Sequence, residues 1–164
     1  MTPPAHLAGM RIINLMGNHE AMLLDALDGD EQVAEAWLAN GGDAALESWG
    51  ATGTNWRLAI PAEQIDFLRQ LPLMHVQGGY VFVHAGLNPD LALAEQSRDD
   101  LLWVREPFLY FDGQLSHVVV HGHTPEAESP IVGRHRIGID TGAVFGGPLT
   151  CVVLNGAKMR FLAV

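Results

Sequence analysis

Three short stretches of this chain set a histidine or an asparagine beside a glycine just where an apolar run stops. They are Gly17-Asn18-His19-Glu20, His84-Ala85-Gly86 and His121-Gly122-His123-Thr124-Pro125. Imidazole nitrogen and amide oxygen are good ligands for Mn, Fe or Zn and less natural ones for Ca. Glycine beside them lets the backbone come close to a bound group. His84 and His123 stand 39 positions apart, which fits two different strands and not a zinc-finger spacing. In an open α/β sheet, ligands bind at the carboxyl ends of strands, so several such ends can converge on one crevice. Each stretch also has an ordinary reading. Asn18 is a good helix N-cap, and a histidine after a strand is more often structural than a ligand. Three such ends in one short chain make a shared site an equal alternative, and spacing alone goes no further.

The elements that must position these residues follow from the apolar pattern. Arg11 to Met16 is a strand-like run ending at Gly17, and Glu20 to Leu27 reads as a helix entered through Asn18. Residues 31–39 and 43–49 form two short helices around the break Asn40-Gly41-Gly42, and Thr52 to Asn55 is loop. A further helix starts after Pro61, with Ile65, Leu68 and Leu71 facing one side. Tyr80 to Val83 is a strand ending at His84, and Val118 to Val120 is a strand ending in the His-Gly-His turn. Between them Ser97 caps a helix reaching Trp103, with Asp99 and Asp100 in its first turn. Arg136 to Asp140, Leu149 to Leu154 and Met159 to Leu162 complete the strands, the last two joined by an Asn155-Gly156 hairpin turn. With no repeat, linker or low-complexity tract, residues 1–164 read as a single α/β unit.

At 164 residues, 48% hydrophobic and 17% charged, the chain can bury a true core. A net charge of −10 argues against a nucleic-acid partner, which needs a basic surface. No stretch approaches the ~20 apolar residues that span a bilayer, so no membrane is expected. Met1-Thr2-Pro3-Pro4 lacks a basic leader region, and the cytoplasm is the default location. The single cysteine, Cys151, excludes an intrachain disulfide and, inside an apolar run, reads as a small buried hydrophobe.

At these residues the chain resembles the phosphoprotein-phosphatase branch of the calcineurin-like metallophosphoesterases, and within it bacterial enzymes similar to the bacteriophage lambda protein phosphatase. The matching blocks, in family order, are Leu15-Met16-Gly17-Asn18-His19-Glu20, Val83-His84-Ala85-Gly86-Leu87-Asn88-Pro89, Trp103-Val104-Arg105-Glu106, Val120 to Pro125, and Ile139-Asp140-Thr141-Gly142-Ala143-Val144. The resemblance implies a β-sandwich of mixed sheets flanked by helices. It implies hydrolysis of a phosphorylated protein or small phosphoester by a dinuclear divalent-metal centre, with Mn preferred and Fe or Zn as alternatives. By the same resemblance, Asn18, His84 and His123 are ligands of the second metal. His19 is the general acid toward the leaving alkoxide. Arg105 is the phosphate clamp, since guanidinium can hold two phosphate oxygens at once; its plain alternative is a surface arginine paired with Glu106 or Asp100. His121 reads as a supporting or structural residue, Glu20 as an orienter of its loop, and Asp140 as a hydrogen-bond acceptor or a turn-former.

The family pattern opens with Gly-Asp-x-His-Gly and Gly-Asp-x-x-Asp-Arg-Gly, both upstream of Gly-Asn-His-Glu, and neither occurs in this sequence. The resemblance therefore implies a domain lacking its first strands, inactive alone and inclined to self-associate through an exposed sheet edge. Two rival readings stand beside the phosphatase: a bis(5′-nucleosyl)-tetraphosphatase of the same fold, and a catalytically dead interaction module.

Overall fold

β-Branched and aromatic runs build the sheet that carries the candidate residues. The computed structural model describes residues 8–51, 53, 55–126 and 129–164. The opening tetrapeptide, Thr52 and Thr54 lie outside them, so the readings made there have no counterpart below. In chain order the elements are α1 (Asn18–Asp28), α2 (Glu31–Trp37), α3 (Asp43–Ser48), α4 (Ala62–Arg69), β1 (Met74–Gln77), β2 (Tyr80–Val83), α5 (Arg98–Trp103), β3 (Val118–His121), β4 (Ile131–Val132), β5 (Arg136–Gly138), β6 (Thr150–Asn155) and β7 (Lys158–Ala163).

Five strands form a mixed sheet in the order β1-β2-β3-β5-β4. The central trio β2, β3 and β5 is parallel, while β1 and β4 run antiparallel at the edges. In a parallel trio the carboxyl ends lie side by side. The chain therefore leaves β2 at His84, β3 at His121 and β5 before Asp140, all on one edge. One face of the sheet packs Val81, Val83 and Val119 against Leu101 and Phe108 from α5 and the turn that follows it. The other face looks toward the β6–β7 hairpin, whose turn carbonyl at Gly156 accepts a 2.8 Å hydrogen bond from the Tyr80 hydroxyl. Phe82 and Val120 on the sheet and Leu149 and Thr150 by the hairpin line a gap of about 370 Å³ between the two sheets. This is the expected layered arrangement of mixed sheets with helices alongside.

Helices α1 to α4 enclose a separate core of Leu23, Trp37, Leu46, Trp56 and Ile60, with Trp37 and Trp56 rings 5.0 Å apart. Met16, Ala21, Leu24 and Leu102 join that core to the sheet layer. The expected helix break falls where it should: Asn40 and Gly41 leave helical geometry, and Gly41 has φ +91°.

Several expectations are corrected. Arg11 to Met16 is not a strand; no strand pairs with it among the described residues, and its one backbone bond runs from the Met16 N–H to the Pro72 carbonyl at 2.9 Å. Strand character is local, whereas a strand needs a partner. α1 begins at Asn18 with Gly17 as its cap residue, so Asn18 does not cap. Cys151 is exposed. It sits on the open side of a two-stranded ribbon, where period-two alternation leaves every second side chain uncovered. Strands β1 and β4 lie beyond what the apolar pattern indicated.

Candidate functional site

The start of α1 is placed against the end of β2 by a close backbone approach. A Cβ at Gly17 would lie 3.2 Å from His84 Nδ1 and collide with the Glu20 carboxylate. With only hydrogen there, Glu20 folds back to accept the Gly17 N–H at 3.0 Å, which fixes the entry to the helix. Asn18, 5% exposed, is thereby turned inward. Its Oδ1 lies 2.7 Å from His84 Nε2. The same His84 nitrogen is 3.2 Å from His123 Nδ1. Donor atoms from three separate segments thus gather around one spot.

Test of this spot against a divalent cation rests on those spacings. An ion with bonds of about 2.1 Å holds adjacent ligand atoms roughly 3.0 Å apart in octahedral geometry and roughly 3.4 Å apart in tetrahedral geometry. The two observed spacings, 2.7 and 3.2 Å, straddle the octahedral value. A neutral imidazole also keeps one nitrogen lone pair for an ion. Burial pushes His84 down to about 4, with the charges of His19 and His121 adding to the effect and Asp140 opposing it. Burial likewise brings His123 to about 4, aided by His84 and Arg105 and opposed by Asp140. Both rings are therefore neutral at physiological pH, the form in which histidine binds metal. The donor set fits one ion of the Mn, Fe or Zn kind. Among the described residues no three His, Cys, Asp or Glu side chains form such a group by themselves, because the third donor here is an amide oxygen. His123 Nε2 is buried without a hydrogen-bond partner among the described residues.

The remaining candidates are distributed around this spot. Arg105 leaves the end of α5 and sends one nitrogen to the His123 carbonyl at 3.5 Å. It forms no ion pair with Glu106 or Asp100 among the described residues, so the surface-pair alternative does not hold. His19, exposed on the first turn of α1, is near enough for its charge to bear on both His84 and His123. It also borders a hollow of about 230 Å³ with Trp37, Trp49 and Phe67. His121 is not gathered with the donors: its ring, 2% exposed, turns to the opposite face of the sheet against Phe108, edge-on at 5.1 Å. Asp140 forms a turn, its Oδ1 accepting the Gly142 N–H at 3.0 Å.

Two residues at the site have no role among the sequence expectations, although Trp103 belongs to the Trp103-Val104-Arg105-Glu106 block. Trp103 presents its ring edge-on to His123 at 5.8 Å. Arg136 reaches His121 Nε2 at 3.4 Å. An arginine opening a short apolar run, Arg136-Ile137-Gly138-Ile139, is the one clue that could have drawn attention to it.

Comparison with known proteins gives this geometry its context. No protein-family model matches the chain. A serine/threonine-protein phosphatase 1 of Salmonella typhimurium is 34% identical over 142 residues, covering 82% of this chain and 62% of the phosphatase. The chain's relatives are phosphatases. A bis(5′-nucleosyl)-tetraphosphatase PrpE of Bacillus mycoides is 27% identical over 135 residues, 69% of this chain and 52% of that protein. In structure, the fold matches that of a candidate diadenosine tetraphosphatase with a TM-score of 0.64 at 21% identity, over 96% of this chain and 71% of the other. That likeness shows a shared α/β fold. The chain spans a little over half the length of the curated relatives it matches. Among the described residues no helix is long and apolar enough to cross a membrane.

Proposed function

We propose that this chain forms part of a metal-dependent phosphoester hydrolase of the serine/threonine phosphatase type, in which Asn18, His84 and His123 hold one divalent ion. The observation that carries the reading is the approach of Asn18 Oδ1 and His123 Nδ1 to the same His84 nitrogen, at 2.7 and 3.2 Å, from a helix start and two parallel strand ends. A divalent ion bound there would polarise a phosphoryl oxygen and make a hydroxide nucleophile available near neutral pH. The side chains do the rest. Arg105, which among the described residues makes a single long hydrogen bond of 3.5 Å to a carbonyl, is free to turn its planar fork onto two phosphoryl oxygens. His19, exposed beside the donor cluster, is placed to give a proton to the departing alkoxide. Mn is the preferred ion, and a dinuclear centre would take its remaining ligands from outside this trio.

The higher identity to the serine/threonine phosphatase than to the dinucleotide hydrolase, 34% against 27%, favours phosphoserine or phosphothreonine in proteins as substrate. The fold match to a candidate diadenosine tetraphosphatase keeps the dinucleotide as the second substrate to assay. The test is turnover of p-nitrophenyl phosphate, a phosphopeptide and diadenosine tetraphosphate with Mn²⁺. It is run on this chain and on a form extended by the reading frame ahead of Met1. Phosphopeptide turnover abolished by Asn18→Ala or His84→Ala supports the reading. Absence of turnover in both forms, with no Mn²⁺ bound, would overturn it in favour of an interaction module.

A further inference from the structure

We infer that Arg136 is a positioning residue that sets the turn presenting His123 and the turn carrying Arg105 in one fixed relation, acting through a single tautomer of His121. The inference rests on the reading of His123 as an ion ligand for its consequence, but not for its geometry.

Arg136 leads β5, and its side chain passes under the sheet without meeting a carboxylate: none of the ion pairs among the described residues involves it. Its guanidinium is spent on two acceptors. Nε donates to the Leu109 carbonyl at 3.1 Å, and a terminal nitrogen lies 3.4 Å from His121 Nε2. Guanidinium can only donate, so Nε2 must offer a lone pair. The other ring nitrogen, Nδ1, is 3.1 Å from the Gly122 carbonyl, which can only accept. Nδ1 must therefore carry the proton. His121 is held neutral, in one tautomer, by the two groups that flank it.

The Gly122 carbonyl is where this matters. It also accepts the Thr124 N–H at 2.8 Å, closing a three-residue turn around His123. His123 is the one residue other than glycine with positive φ among those described, +66°. A γ-turn of that kind is rare and strained in an L-residue and persists only when its surroundings over-determine it. The His121 N–H on the same carbonyl is such a restraint. On the other branch, the Leu109 N–H donates to the Arg105 carbonyl at 2.9 Å, so the bond from Arg136 to Leu109 steadies the turn that follows Arg105. One side chain thus braces both the ligand and the phosphate-facing arginine.

Partners behind a ligating residue are typically worth about 10–100-fold in metal affinity. The experiment compares this chain with Arg136→Met, which keeps the stem and removes the donors, and His121→Phe, which keeps the ring on Phe108 and removes both nitrogens. Long-range ¹H–¹⁵N spectra read the His121 tautomer, amide exchange reads the Thr124 N–H, and Co²⁺ absorption reads ion affinity, with thermal melts as the folding control. Expected for Arg136→Met is a mixture of His121 tautomers, faster exchange at Thr124 and Co²⁺ affinity lower by about 10–100-fold, with a cooperative melt retained. A single Nδ1–H tautomer in Arg136→Met, or affinity within about twofold of the parent, overturns the inference. If Arg136→Met does not fold, His121→Phe carries the same expectation at Thr124 and for Co²⁺, and parental values there overturn it. A parent chain that binds no Co²⁺ sinks the reading of His123 as a ligand, and the tautomer and Thr124 exchange then decide the brace by themselves.

Discussion

Two parallel neighbours, β2 and β3, end side by side and pass the chain to turns that present His84 and His123, yet the turns are secured by different means. After β2 the turn is wedged. Ala85 is fully buried with its N–H on the Leu101 carbonyl at 3.0 Å, and Gly86 lies so close to the Phe108 ring that no Cβ would fit. After β3 the turn is tied. Its Gly122 N–H reaches the His84 carbonyl at 2.8 Å, its Gly122 carbonyl takes the two donors described above, and its ligand residue sits at φ +66°. A packed turn depends little on polar substitution but is intolerant of added volume. A hydrogen-bonded turn around a strained residue is the reverse. The contrast teaches that the first histidine is placed by shape and the second by a polar network.

Acid should expose this difference most strongly. Burial lowers His121 to about 4, the Gly122 carbonyl opposing and Arg136 reinforcing the shift. A depressed value means that the unfolded chain binds the proton first. The stability from neutral burial is thus complete above pH ~6.5 and is lost as pH falls through ~4. Urea midpoints at pH 7, 5.5 and 4 should fall steadily, His121 accounting for on the order of 3 kcal/mol beside the similarly depressed His84 and His123, and His121→Phe should make the fall shallower. A profile unchanged by that substitution breaks the contrast.

Next in size is the loss of a donor. His84→Ala, which removes the nitrogen shared by both spacings, should weaken Mn²⁺ binding by at least about 100-fold, measured by isothermal titration; a smaller change would remove His84 from the centre. Third, Gly86→Ala should destabilise the chain by about 1–3 kcal/mol through overpacking against Phe108, whereas Gly122→Ala, whose Cβ would meet nothing nearer than 3.6 Å, should cost less. Equal urea midpoints for the two variants would contradict a wedged first turn. The smallest effect separates two replacements of one residue. His123→Gly should be more stable than His123→Ala by about 1 kcal/mol, since only glycine takes positive φ without cost. The usual order, alanine above glycine, would show that the second turn is not strained.

Much of this arrangement was legible in the sequence. β2 and β3 announce themselves by Tyr80-Val81-Phe82-Val83 and Val118-Val119-Val120, and the β6–β7 hairpin by Asn155-Gly156, where Gly156 takes φ +58°. His84 and His123 stand where β2 and β3 stop, so their meeting needs only that those two strands be parallel. What was not legible is relational. Whether an asparagine after glycine caps a helix or opens it depends on what its amide meets, and here that is a histidine 66 positions away. The Met74-His75-Val76-Gln77 strand alternates over only four residues, too short a run to stand out, and the Gly78-Gly79 turn folds it onto β2. Arg136 has no motif at all; its importance lies in a carbonyl and an imidazole brought under it by the fold.

The stretch before Gly17 has a practical consequence. Arg11 is exposed and lies in a segment with no helix or strand pairing among the described residues. Proteases grip their substrates as extended strands, so trypsin should find this bond presented ready for cleavage while the rest of the domain stays closed. A brief digestion would then clip after Arg11 first and leave a folded remainder beginning at Ile12. That remainder keeps the Met16 anchor to Pro72 and every donor atom of the candidate centre, a shorter form suited to crystallisation.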